Sequence, residues 1–270
     1  SVKNLLELAG TNNLQNCNFY NIAAATGHNA VIYNTDGTMN LVNCNITDSS
    51  AGYGVVSNYK AGTYTGVIMN VDNCRFIRNS ATVEPGAINN CGILYVNNSE
   101  FINNTAEWWA GAIHTHYNAQ TIINNSLFEG NDAGWNGGAL YTYSTLKVYN
   151  SIFKKNKCYT NIGGGAIGAS RWWNGNYDIT IANCTFEENA NLCGNSNETP
   201  STGKFSEIPT LTPYIDVSDY VESLGVIGDC LPQLSGRAAI HIKGEKIVTL
   251  FFGVQSDSYL KMMSSIKVVE

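Results

Sequence analysis

Four groups of side chains have the types and spacing to do chemistry. The first is the histidine pair in Gly111-Ala112-Ile113-His114-Thr115-His116. Side chains alternate between faces along an extended strand, so Ile113 and Thr115 are expected inward and His114 and His116 outward. A His-x-His pair on a strand chelates a metal when a neighbour supplies a third ligand. The residues aligned with it in adjacent repeats are Asn89 and Cys91 on one side and Tyr141 and Tyr143 on the other. The plainer reading is two exposed histidines on a polar–aromatic face. No metal and no cofactor is assigned.

The second group is aromatic. Trp108, Trp109 and Trp135 fall at one phase of the repeat described below, with His116, Tyr141 and Tyr143 on the strand that follows. Trp172 and Trp173 sit in the longest stretch between repeats. Flat rings stack on the apolar faces of sugar rings, and a contiguous exposed apolar patch marks contact with another molecule. Trp108, Trp109, Trp135, Tyr141, Tyr143 and His116 are therefore the expected ligand-binding set. The competing reading packs these rings against their own loops.

The third group is acidic: Glu84, Glu107 and Asp132 share one loop layer. Polysaccharide cleavage uses carboxylates, in some enzymes with calcium and a basic partner. Glu107, beside Trp108 and facing His114 or His116, is the best acid for that chemistry. The acids are scattered, so a lyase or hydrolase using Glu107, His114 and His116 stays an alternative to binding without turnover. The fourth group is cysteine. Cys17, Cys44 and Cys74 should stack about 4.8 Å apart with side chains pointing the same way. That arrangement favours a ladder of buried thiols over disulfides. Cys193 and Cys230 flank a composition boundary, and their pairing stays open.

These residues are positioned by a repeat. Asn, then Cys or Ser, then any residue, then Phe recurs as Asn16-Cys17-Asn18-Phe19, Asn73-Cys74-Arg75-Phe76, Asn98-Ser99-Glu100-Phe101, Asn125-Ser126-Leu127-Phe128, Asn150-Ser151-Ile152-Phe153 and Asn183-Cys184-Thr185-Phe186. Asn43-Cys44-Asn45-Ile46 is the variant copy. Successive Phe (or Ile46) positions lie 27, 30, 25, 27, 25 and 33 residues apart. Three residues after the Phe comes Asn79, Asn104, Asn131, Asn156 or Asn189, and the first two copies carry Ile22 and Ser49 instead. A second phrase follows at Gly86-Ala87-Ile88, Gly111-Ala112-Ile113, Gly138-Ala139-Leu140 and Gly165-Ala166-Ile167.

Three short strands per repeat, broken at Asn and Gly bends, cannot close as hairpins. They bury their apolar sides by stacking coil on coil, which is a parallel β-helix. Right-handed coiling follows from the rule for parallel crossovers. About seven coils are expected. A Phe column with edge-to-edge ring packing should fill the interior, and stacked Asn amides should line the bends.

Phe-x-x-Asn together with Gly-Ala-Ile/Leu resembles the repeats of polymorphic outer-membrane proteins. The Asn-Ser/Cys-x-Phe phrasing is similar to the adhesin-like proteins of methanogens. The resemblance covers roughly residues 14–192. It implies a parallel β-helix on a secreted or cell-surface adhesin, with a glycan or a host or microbial surface as partner. It carries over no catalytic residue.

Composition agrees. Charged residues are 13% of the chain and the net charge is −6, which opposes nucleic-acid binding. No apolar run is long enough to span a membrane. The start, Ser1-Val2-Lys3-Asn4, reads as a mature or excised terminus. All 36 Asn lie between Asn4 and Asn197, whereas four of the five Pro come after residue 199. The break divides an all-β repeat domain, 1–197, from a small α+β unit, 198–270, that caps the helix or acts as an accessory module. In that unit Asp216–Glu222 reads as a short capped helix, and Ala238–Lys243 and Lys246–Phe252 read as two strands. Residues 256–268 read as a helix, or as a short helix and a strand. Of six Asn-x-Ser/Thr sequons, Asn183 should be buried in the ladder and Asn197 open to modification. The expected function is adhesin-type binding through the aromatic face. The other alternative is a rigid spacer in a larger surface protein.

Overall fold

A computed structural model describes residues 3–62, 66–159, 164–169, 178–191, 237–242, 246–252 and 266–269. The chain is a parallel β-solenoid, all-β among the described residues. The seven Asn-Cys/Ser-x-Phe/Ile phrases form one seven-stranded wall, which makes seven rungs enclosing six turns. Each full turn has four strands. The fourth, such as Ser80–Ala81 or Thr105–Ala106, is two residues long. Two residues are too short to show alternation, so the three-strand reading passes over this wall.

Register is kept by identical chemistry at each rung. Phe76, Phe101, Phe128 and Phe153 are fully buried. Their ring centroids, with Phe186, lie 4.8–4.9 Å apart and nearly parallel. The rings therefore stack face over face, not edge to edge. One rotamer repeated at the strand spacing of about 4.8 Å leaves no room for an edge-on ring.

Asparagine forms two distinct columns. Asn16, Asn43, Asn73, Asn98, Asn125, Asn150 and Asn183 hold φ between 49° and 57°, the left-handed region that Asn tolerates. This outer column is solvent-exposed, so Asn183 is exposed and not buried as expected from ladder membership. Its amides pair along the outside, as Asn125 Nδ2 to Asn98 Oδ1 at 2.7 Å. The inner column, Asn79, Asn104, Asn131, Asn156 and Asn189, is buried. Its four Oδ1–Nδ2 links are 2.8–3.0 Å. Turn geometry and polar satisfaction are thus divided between two positions of the repeat.

The Cys/Ser column is an acceptor ladder. The N–H of Cys74 donates to Ser99 Oγ at 3.0 Å, Ser99 to Ser126 at 3.2 Å, and Ser126 to Ser151 at 3.1 Å. Cys17, Cys44, Cys74 and Cys91 are free thiols. Gly86, Gly111 and Gly138 stack so closely that an added Cβ at each would meet the backbone of the next coil. Of the C-terminal segment, Arg237–Ile242 and Lys246–Phe252 pair antiparallel. Lys246–Phe252 and Ile266–Val269 continue two solenoid walls in parallel. Ile266–Val269 is strand where a helix was one of two expectations. Asp216–Glu222, Cys193, Cys230, Asn197, Trp172 and Trp173 lie outside the described residues, as does the boundary near 197.

Candidate functional site

The wall that carries the Gly-Ala-Ile phrase holds the chemistry. Ile113–Thr115 lies between Ile88–Asn90 and Leu140–Thr142, which aligns Asn89, His114 and Tyr141 across three coils. Side-chain direction follows the strand alternation. Ile113 is in the main core, and Thr115 is buried with its hydroxyl 2.6 Å from that of Thr121. His114 points away from that core. It is nonetheless fully buried, Tyr141 is 3% exposed, Tyr143 is 5% exposed, and His116 is partly buried. The expectation of an open polar–aromatic face is corrected at these four residues.

The cover is the loop layer that precedes each Gly. The loops stack in register: the Trp108 N–H donates to the Val83 carbonyl at 3.0 Å, and the Trp135 N–H to the Trp108 carbonyl at 2.7 Å. Trp109 bridges Asn136 in the next coil. Ala110, at φ 57°, turns the chain just after Trp109. Trp109 thereby lies parallel to Tyr141 at 6.1 Å and 6.1 Å from the His114 ring. Tyr141, Tyr143 and Ala110 form a second apolar cluster, with Trp109 and Tyr117 packed on it.

Trp108 and Trp135 are 47% and 40% exposed, with ring centroids 5.4 Å apart. Both touch the half-covered Trp109. The six expected binding residues therefore belong to one cluster in two layers, which His116 joins through the His114 ring. Trp108 and Trp135 face solvent, and Trp109, Tyr141, Tyr143 and His116 back them.

Beneath the aromatic layer is an acid that the sequence arguments set aside. Glu84 is buried, and its Oε2 lies 2.6 Å from His114 Nδ1. The pair is close but not aligned for a hydrogen bond. Glu84 Oε2, His114 Nδ1 and His114 Nε2 have no hydrogen-bond partner. The His114 and His116 rings are 4.1 Å apart, and His116 Nε2 is 2.8 Å from Asn89 Oδ1. Burial pushes Glu84 up to about 7, partly offset by His116 and His28. Burial drives His114 and His116 down to about 3. All three shifts favour the uncharged forms. Burial, with Glu84 nearby, also raises Cys91.

Glu107 is exposed, so the acid in contact with the histidines is Glu84. The signal for it was Pro85-Gly86 directly after it, which starts the turn beneath the wall. Alternation alone does not show which way a loop residue points. Asp132 accepts a hydrogen bond from the Tyr159 hydroxyl at 2.8 Å, away from that pair. Among the described residues no helix is long and apolar enough to cross a membrane. Comparison with family models, curated proteins and solved structures yields no match. The solenoid scaffold and its aromatic cluster are compatible with binding and with enzymatic roles.

Proposed function

We propose that this chain is the binding segment of an adhesin-type extracellular surface protein, holding a glycan or surface partner against the Trp108–Trp135 edge. The observation that carries the reading is this pair of indoles, exposed on adjacent coils and in contact with each other. Half-buried Trp109, itself packed on buried Tyr141 and Tyr143, supports them, so the two side chains lose little freedom on binding. The low charge favours a neutral sugar. The repeat resemblance supports the surface setting.

The test is a glycan array followed by titration calorimetry on the best hit. Trp108→Ala and Trp135→Ala are each expected to weaken binding at least about tenfold, with circular dichroism unchanged. Binding that survives the double substitution, or no binding to any glycan or cell surface, overturns the reading.

A further inference from the structure

The buried group beneath the aromatic layer has a role separate from the exposed indoles. We propose that Glu84, His114 and His116 are the protein ligands of a divalent transition-metal site of the zinc class.

One carboxylate and two imidazoles are the donor set of many such centres, and three protein donors leave a further position for water or another ligand. One ligand atom from each residue lies within 4.8 Å of the other two. Tetrahedral bonds of about 2.0–2.1 Å place donor atoms roughly 3.3 Å apart. Reaching that spacing requires the side chains to turn, with Glu84 Oε2 and His114 Nδ1 moving apart from 2.6 Å. The sequence brings them together because the His-x-His strand lies one coil beyond the turn that carries Glu84.

The second observation is the unmet polar chemistry. Among the described residues, four buried side-chain polar atoms lack a hydrogen-bond partner, and three are His114 Nδ1, His114 Nε2 and Glu84 Oε2. The fourth is Asn34 Oδ1, in another coil; the other buried side-chain amides and hydroxyls among the described residues have partners. An unsatisfied buried polar group costs about 1–3 kcal/mol, so clustering three of them needs a reason. A cation between Glu84 and His114 accounts for two of the three, Glu84 Oε2 and one His114 nitrogen. It turns a close, unaligned N···O contact into two coordinate bonds.

The surroundings suit the same occupant. Asn89 Oδ1 accepts from His116 Nε2, which places the lone pair on Nδ1, the usual outer-shell orientation of a metal-binding histidine. Trp109, Tyr141 and Tyr143 pack around His114 and keep the site dry. Cys91 is buried on the adjoining coil but is not in the ligating group. The donors are therefore nitrogen and oxygen.

The experiment strips the full chain with chelator, then titrates Zn²⁺ by calorimetry and Co²⁺ by visible absorption. The expected result is one metal per chain, with Co²⁺ bands of nitrogen–oxygen ligation. Glu84→Gln and His116→Asn should each weaken Zn²⁺ at least about 100-fold, and Cys91→Ser should leave it unchanged. No stoichiometric uptake, or unchanged affinity in Glu84→Gln, overturns the site. If a ligand variant fails to fold, X-ray absorption on the Zn²⁺-loaded wild type decides. Two imidazoles without sulfur support the assignment, and a sulfur scatterer overturns it. Trp108→Ala should leave metal uptake intact, so failure here and failure of the glycan reading are separable.

Discussion

Replacing Asn131 by alanine tests whether the inner amide ladder holds the coils in register. Asn131 is fully buried. Its Nδ2 donates to the Phe101 carbonyl and to Asn156 Oδ1, both at 2.9 Å. Its Oδ1 accepts from the backbone N–H and the Nδ2 of Asn104, both at 3.0 Å. Alanine removes all four bonds. Two of the partners keep another bond: Asn156 Oδ1 still accepts from the Asn131 N–H, and Asn104 Nδ2 still donates to the Phe76 carbonyl. The Asn104 N–H is orphaned, at a cost of about 1–3 kcal/mol, and the other lost bonds add about 1 kcal/mol each. The expected destabilisation is roughly 4–6 kcal/mol.

Asn125→Ala is the comparison from the exposed outer ladder. It loses one exposed bond and places alanine at φ 50°, a penalty of about 1 kcal/mol. Guanidinium unfolding followed by circular dichroism reads both variants, as midpoint shifts at unchanged slope. Asn131→Asp should be at least as damaging at neutral pH, because a buried carboxylate would face the Phe101 carbonyl and Asn156 Oδ1. If Asn131→Ala costs no more than Asn125→Ala, the claim that the inner column secures the fold is refuted.

Three further outcomes are expected. Gly111→Ala should cost at least about 3 kcal/mol because its Cβ meets rigid backbone of Gly138 and Asp132. Gly62→Ala, with open space around it, should cost about 1 kcal/mol from its φ of 78°; equal midpoint shifts in the two variants refute the close-stacking account. In chelator-treated protein, stability should fall from pH 6.5 to 4.5. Over that window the unfolded chain binds protons at both histidines that native His114 and His116, held near 3, do not, and native Glu84, held near 7, keeps one proton that the unfolded chain releases. The net is one proton, or roughly 1.4 kcal/mol lost per pH unit. His28, Tyr53, Cys91 and Tyr143 are the other titratable groups that interact with Glu84. Thermal melts that stay flat or rise toward pH 4.5 contradict this sign. Finally, Cys74, pushed up to about 12 by burial, should resist a thiol reagent until unfolding, whereas the less buried Cys17 reacts first; equal rates by mass spectrometry count against the ladder.

The repeat made the fold legible. Seven Asn-Cys/Ser-x-Phe/Ile phrases recur 25 to 33 residues apart, and the Gly-Ala-Ile phrase follows in four of them. Only stacked coils put such residues in line, because strands of three to six residues cannot bury an apolar side alone. The four-sided cross-section was not legible, since two-residue strands leave no periodic trace. At the site, sequence determined which residues share a column: Asn89, His114 and Tyr141 align as the repeat requires. It determined the direction of His114 as well, because strand alternation is local. Whether that direction leads to water was decided by tertiary structure. Burial depends on how far Trp109 and its neighbouring loops fold across the wall, and those loops follow no alternation. For the same reason the sequence points to Glu107 by its place beside Trp108, while Glu84 occupies the position against His114. A strand's period fixes its side chains, but a loop residue is placed only by what it packs against.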